Sequence, residues 1–244
     1  MKEKLANNPV LSQKIKATTI HLCFSAVLML LSAGLIFGLW YKQPFYTLYQ
    51  VSPVFSLLLI IDLIIGPLLT FIVYQQGKKT LKMDLAVIIV LQLAAWLWGM
   101  LHITEARPAW LVIYHDQAYA VSPADYTNPQ KPIEQFRPKL WQQNWGQPKL
   151  VMAANNRDAI EAIYNTTGYL PYDALTVQRD RLVLAQIKKA DGALYQQIQH
   201  DYPSAQGYLP VITDASYDLP LILLDESAQP IATVVAKNKL FVKQ

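Results

Sequence analysis

Cysteine is all but missing: Cys23 stands alone among 244 residues. No intrachain disulfide can form, so any folded part must hold itself with an apolar core. Histidine is sparse as well. His21, His102, His115 and His200 are scattered, and no pair has metal-ligand spacing. The glycines form no phosphate-cradling loop. Ser204 and Ser216 lack the strand-turn-helix context of a nucleophile, and His115-Asp116 is an acid–imidazole pair by adjacency only. No catalytic, metal or cofactor site is legible, and neither a repeat nor a low-complexity tail is present. No basic stripe with interleaved aromatics runs through the soluble part, so nucleic acid is not an expected partner.

Charge is nearly missing from three long stretches, which hold only Asp62 and Asp84. Residues 17–40, 51–74 and 84–103 are apolar runs, each long enough to cross ~30 Å of hydrocarbon at ~1.5 Å per residue. The first exceeds the ~7–15 apolar residues of a signal peptide. It ends in Trp40-Tyr41-Lys42-Gln43-Pro44 rather than a small-residue cleavage site, so it is expected to be retained. Up to Glu105 there are 8 Lys/Arg against 4 Asp/Glu; beyond it 13 stand against 13. The whole net charge of +4 therefore belongs to the apolar part and is a topology signal. Lys2, Lys4, Lys14 and Lys16 precede the first run, Lys78, Lys79 and Lys82 lie between the second and third, and Lys42 alone marks the first link. This bias predicts a cytoplasmic N terminus (1–16), a three-helix transmembrane domain (17–105) and a periplasmic soluble domain (106–244) in a bacterial inner membrane. Trp40, Tyr41, Trp96, Trp98 and Trp110 fall toward the far face, as an interfacial aromatic belt does.

One acid interrupts the second run: Asp62, followed by Gly66, Pro67 and Thr70. An acid near the middle of a membrane helix costs ~2.5–3.5 kcal/mol on insertion scales and faces protein or water. Small and polar residues fall in register around it. Gly34 and Gly38 are four apart, as are Ser52 and Ser56, and as are Asp62, Gly66 and Thr70; Asp84, Gln92 and Gly99 lie near one stripe of the third helix. Such residues permit close helix approach and cross-helix hydrogen bonds. Pro67 predicts a kink beside Asp62. Asp84 is expected to cap the third helix. It sits too far along the bilayer from Asp62 for a protease dyad, which needs two carboxylates in one site. Asp62, Gly66, Pro67, Thr70, Gln92 and Gly99 are the candidate partner-binding residues. Internal packing of three helices and docking of another membrane helix both stay open for them.

A specific pattern covers about 50 residues: Ile61-Asp62-Leu63-Ile64-Ile65-Gly66-Pro67-Leu68-Leu69-Thr70, Lys79, Leu81, Asp84-Leu85-Ala86, Gln92-Leu93-Ala94-Ala95, Gly99 and Ala106-Arg107-Pro108. It resembles the type IV pilin accessory proteins of the TfpX/TfpZ kind. Trp98-Gly99 departs from the Tyr-Gly expected there. The soluble domain matches only loosely, in Trp110–Val121 and around Leu224-Asp225-Glu226. The resemblance implies an inner-membrane protein that assists assembly or stability of a particular pilin, with no catalytic residue. Its implied partners are the pilin, through its transmembrane helix and head domain, and other pilus assembly components. Asp62 would then pair with the charged amino terminus of the mature pilin, or bond to Gln92 or another helix of its own chain.

The soluble part reads as α+β with a small, mainly antiparallel sheet. Trp110–Tyr114 and Ala118–Ser122 flank a hairpin turn. Five prolines make 123–148 irregular, with Trp141 and Trp145 pinning it. A strand is expected at Lys149–Ala153, then a helix to about Tyr164 capped by Asn155 or Asn156. A turn at Gly168–Pro171 precedes helix within 173–200, broken near Asp191-Gly192. Leu219–Leu224 and Ile231–Ala236 form a second hairpin.

The expected function is therefore a non-enzymatic, chaperone-like pilin accessory factor. A pilin-modifying membrane enzyme is the rival, disfavoured by the missing acid/base cluster and by a loop at 41–50 with neither acid nor histidine. A small transporter or channel subunit is the other, although one acid and one glutamine make a poor pathway unless copies assemble.

Overall fold

The computed structural model describes residues 9–41, 45, 49, 51–128, 133–139, 142–154, 158–213 and 218–237. The chain divides into two compact units, Met1–Gly38 with Val51–Thr104, and Leu39–Gln50 with Glu105–Gln244. The first link thus groups with the C-terminal part.

The N-terminal unit holds three helices long and apolar enough to cross a membrane: α1 (Pro9–Trp40), α2 (Val51–Val73) and α3 (Leu81–Ala106). Helix α1 begins about two turns before its apolar run. Pro9 suits a first turn, where a missing N–H costs nothing, and the polar residues Gln13, Lys14 and Lys16 continue the helix. Leu81 opens α3, so Asp84 sits inside the first turn rather than at the cap. There it pairs with Lys78 Nζ at 2.7 Å and accepts from Thr80 Oγ1 at 3.1 Å, and an acid still suits the helix dipole.

Among the described residues a π-helical turn closes α1, at Ile36–Trp40, and another interrupts α2, at Ile60–Ile65. The second surrounds Asp62. Its signature is the Gly66 N–H, which donates to Ile61 O five residues back. Pro67 then opens the following α segment, Gly66–Val73. The break beside Asp62 is therefore a wide turn ahead of the proline, a common cause of kinking and a feature frequent at functional sites.

The C-terminal unit is α+β, built on a curled mixed sheet. Its strands are β1 (Trp110–Tyr114), β2 (Gln117–Val121), β3 (Lys149–Met152), β4 (Leu182–Val183), β5 (Gly207–Ile212), β6 (Leu219–Leu224) and β7 (Pro230–Ala236). They run in the order β3-β1-β2-β5-β6-β7, with β4 added beside β5. Pairs β1–β2, β4–β5, β5–β6 and β6–β7 are antiparallel, while β1–β3 and β2–β5 are parallel.

Strand β5 is not among the expected strands, because Gly207 and Pro210 look like breakers. Both have a place. Pro210 falls where β5 exchanges one neighbour for another: β4 pairs at Gly207–Tyr208, β2 at Val211–Ile212. At Gly207 a Cβ would stand 2.6 Å from Arg181 Cδ and 2.9 Å from the Leu182 carbonyl oxygen, so only glycine fits. Strand β6 is buried along its whole length, which is why it reads as a continuous apolar run rather than alternating.

Three α-helices of this unit, Ala159–Tyr164, Ala174–Asp180 and Gly192–Asp201, are capped by aspartates. Asp158 Oδ1 accepts from Ile160 N at 2.9 Å and starts Ala159–Tyr164; the expected caps Asn155 and Asn156 lie outside the described residues. The helical stretch expected within 173–200 is three helices, Ala174–Asp180, Leu184–Ala190 and Gly192–Asp201. The break at Asp191-Gly192 exists because Asp191 caps the last of them, accepting from Leu194 N at 2.9 Å. Two apolar cores result. One gathers Trp110, Val112, Tyr126, Val151 and Ile163; the other gathers Leu184, Ile187, Tyr208, Leu221 and Leu223.

Candidate functional site

Helix spacing brings the polar residues of the N-terminal unit together. In α1, Gln13, Ala17, His21 and Ser25 recur every four residues and share one face. That face, with parts of α2 and α3, lines a cleft of about 1070 Å³. Asp62 and Gln92 stand at one end; Gln13, Tyr74 and Gln76 mark the other. Between them Thr70 Oγ1 and His21 Nδ1 are hydrogen-bonded at 2.6 Å.

Asp62 is only 2% exposed. The π turn explains part of what it needs. In that register the donor for the Asp62 carbonyl would be the N–H of residue 67, and Pro67 has none. Gln92 supplies it from α3: its Nε2 donates to Asp62 O at 3.5 Å and to Asp62 Oδ1 at 3.3 Å. Gly66 makes room for this amide, because a Cβ there would overlap the Gln92 side chain. Two buried acceptors remain without a hydrogen-bond donor among the described residues, Asp62 Oδ2 and Gln92 Oε1.

Of the six candidate residues, Asp62, Gly66 and Gln92 form one contact group, and Thr70 lies on the same cleft. Pro67 acts through the backbone. Gly99 is separate. It is buried where a Cβ would meet Leu58 Cδ2 at 2.6 Å, and it lets α3 approach α2. Close approach inside the bundle occurs at Gly66 and Gly99; a Cβ at Gly34 or Gly38 would meet nothing within 4 Å. Sequence reasoning misses His21, which looks like an isolated histidine, although its four-residue register with Gln13 and Ser25 is a readable signal.

The aromatic residues read as a belt divide. Trp98 is 61% exposed. Trp96 turns toward α1, donating from Nε1 to Ser32 Oγ at 3.0 Å. Trp40, Tyr41 and Trp110 are buried, and all three belong to the unit formed by Leu39–Gln50 and Glu105–Gln244. Arg107, wholly buried, lies 5.4 Å from the Trp40 ring and 4.6 Å from the Trp145 ring. Its Nη2 donates to Asn144 O at 2.7 Å, and Trp40 Nε1 donates to Trp145 O at 2.9 Å. Trp145 therefore pins the irregular segment, as expected; Trp141 lies outside the described residues. Burial lowers the Arg107 pKa from its ordinary value, against the opposing pull of the nearby Tyr41 phenol.

The family model of the fimbrial assembly protein FimB matches residues 9–50. The chain is 37% identical over 112 residues to a fimbrial assembly protein of Dichelobacter nodosus serogroups C1 and C2, covering 45% of this chain and 86% of that protein. It is also 37% identical over 112 residues to the serogroup I protein and 38% identical over 112 to the serogroup E1 protein of the same organism. Those two matches cover 45% of this chain and 44% of each relative, so the match spans less than half the length of either. No solved structure matches the chain.

Proposed function

Since the chain belongs to the fimbrial assembly protein FimB family, we propose that it works in fimbrial assembly as a non-enzymatic accessory factor for a specific type IV pilin. The bundle lies in the inner membrane with its N terminus cytoplasmic and its C-terminal unit periplasmic. An assembly factor of this kind must hold an apolar subunit helix before it joins the fibre. The observation that carries the reading is the cleft, an elongated opening between apolar helices with one incompletely served carboxylate at its inner end. Lipid alone gives such an acid no partner, whereas a docked helix with a polar group does. The lysine bias of the N terminus and of the α2–α3 link supports the orientation.

Asp62→Asn is the test. The variant keeps the size of the side chain and Gln92 as a neighbour, so the bundle is expected to survive. Pilin co-purification and fibre number are expected to fall together. Normal values for both would remove Asp62 from the function.

A further inference from the structure

Among the described residues β3, β4 and β7 lie at the margins of the sheet, and they are protected unequally. Strand β3 is closed at Met152, whose N–H donates to Leu170 O at 2.9 Å and whose carbonyl accepts from Leu170 N at 2.8 Å. It also opens on the charged Lys149. Strand β4 is only two residues long. A covering segment, a charge and a short strand are devices that keep an edge from pairing with another chain. Strand β7 is blunted at one end only. There Pro230 has no N–H to offer, and the ladder to β6 is irregular between Leu223 and Leu224. Residues 231–236 carry no charge. They pair with β6 on one side and have no partner strand on the other among the described residues. Both faces of this stretch are apolar. The register with β6 sets Ala232, Val234 and Ala236 on the core of Leu219, Leu221 and Leu223. Ile231, Thr233 and Val235 alternate onto the other face, where Ile231 is 37% exposed.

From this we infer that the open edge of β7 pairs with β7 of a second copy of the chain, antiparallel about a two-fold axis through Thr233, joining two sheets into one. The strand is its own complement. About that axis Thr233 faces Thr233, Ala232 faces Val234 and Ile231 faces Val235. Core-side residues therefore meet core-side residues, and both apolar faces continue across the seam. Opposed β-branched residues suit such a seam, and a charge, which would face its own like, is absent from it. About six main-chain hydrogen bonds form along it. One open edge per copy closes the assembly at two. Pairing β7 with β3 would build an open filament instead, and Leu170 obstructs it. A strand edge alone buries less than the ~1,200–2,000 Å² of a standard interface. The pairing therefore draws on the raised effective concentration of copies that share a membrane.

The test uses the full chain in membranes, with Cys23→Ser removing the native thiol, and a short bifunctional thiol reagent. Opposed Cβ atoms in such a seam stand ~4.5–5.5 Å apart. Thr233→Cys is therefore expected to give a covalent dimer. Ile231→Cys and Val235→Cys each place their two thiols ~13 Å apart along the strands. They are expected to link only when the two variants are produced together. Thr233→Lys sets like charges on the axis and should weaken association of labelled copies, read by energy transfer, by about tenfold or more, with thermal unfolding of the C-terminal unit unchanged. A folded chain that gives no link at position 233 overturns the inference. Equal links at 231, 233 and 235 in the single variants mean random collision and overturn it too. A link at 233 that appears only after residues 238–244 are deleted gives the edge to the chain's own C-terminal residues instead. Undiminished energy transfer in Thr233→Lys places the association elsewhere on the chain.

Discussion

Gly66 and Gln92 should behave as one unit, and a double-mutant cycle measures how strongly. Gly66 has helical backbone angles, φ −62° and ψ −55°, so alanine meets no backbone obstacle there. Its Cβ would instead overlap the Gln92 amide. Gly66→Ala must push that amide away and break both of its bonds to Asp62. Cross-helix hydrogen bonds in membranes average about 0.6 kcal/mol, with a maximum near ~1.7. Two such bonds are lost together, so the expected loss is about 1–2 kcal/mol. Gln92→Ala loses the same bonds and opens the space that the added methyl group needs. In that background Gly66→Ala should therefore cost nothing, or stabilise by up to ~1 kcal/mol through helix propensity. The sign of the Gly66→Ala effect reverses between backgrounds, giving a coupling of about 1–3 kcal/mol. Reversible unfolding of the full chain in mixed micelles, followed by a probe on α2, reads all four corners. Equal cost in both backgrounds would refute the proposed contact.

Three further outcomes follow from the C-terminal unit. Arg107→Ala removes two cation–π contacts and a charged hydrogen bond and should destabilise this unit by about 3 kcal/mol by Trp fluorescence; Arg107→Lys should recover little, since an ammonium cannot stack between two rings. Gly207→Ala should cost more than ~2 kcal/mol of thermal stability, on the order of a buried overpacking defect, because one of the atoms it meets is backbone. Burial pushes Tyr172 and Tyr208 up to about 12 from 10.0 and holds Tyr126 and Tyr169 higher still. Their neutral forms favour the folded state, so stability is complete below about pH 10 and lost as pH rises through about 12. Absorbance at alkaline pH should show exposed tyrosines ionising first and the buried group only with unfolding; a single transition near pH ~10 without unfolding would contradict this.

The three apolar helices were legible because length and hydropathy decide membrane segments with little help from tertiary contacts. Their ends were not. Hydropathy stops at Ala17, but the helix extends back to Pro9 because backbone hydrogen bonding ignores side-chain polarity. The hairpins at Trp110–Val121 and Leu219–Ala236 were readable from β-prone runs around turns. The parallel pairings β1–β3 and β2–β5 were not, since they join segments far apart in sequence and leave no local pattern. Strand β5 was hidden by punctuation residues whose local meaning is overridden by where they fall in the sheet. Arg107 looked like one member of a motif. Its burial between Trp40 and Trp145 depends on residues 67 and 38 positions away, which no local pattern encodes.

The candidate site divides the same way. Asp62 and Gln92 each stood out as polar residues in apolar runs, and a bond between them was one of two expectations. The backbone reason for that bond was not visible. A proline after a π turn leaves the Asp62 carbonyl without its helical donor, and Gln92 spends its amide hydrogens on that carbonyl and on Oδ1. An isolated acid–amide pair would be free to satisfy itself more fully. Here the backbone claims part of the amide, which leaves one Gln92 hydrogen fewer for the carboxylate, and Oδ2 is open as a consequence. The Gly66-Pro67 step, which could pass for a kink alone, thus sets how much hydrogen-bonding capacity remains at the inner end of the cleft. Replacing Pro67 by alanine would return an N–H to the Asp62 carbonyl and release one Gln92 hydrogen. An account of Asp62 that ignores Pro67 therefore counts one donor too many in the helix and leaves Gln92 one hydrogen too many for the carboxylate.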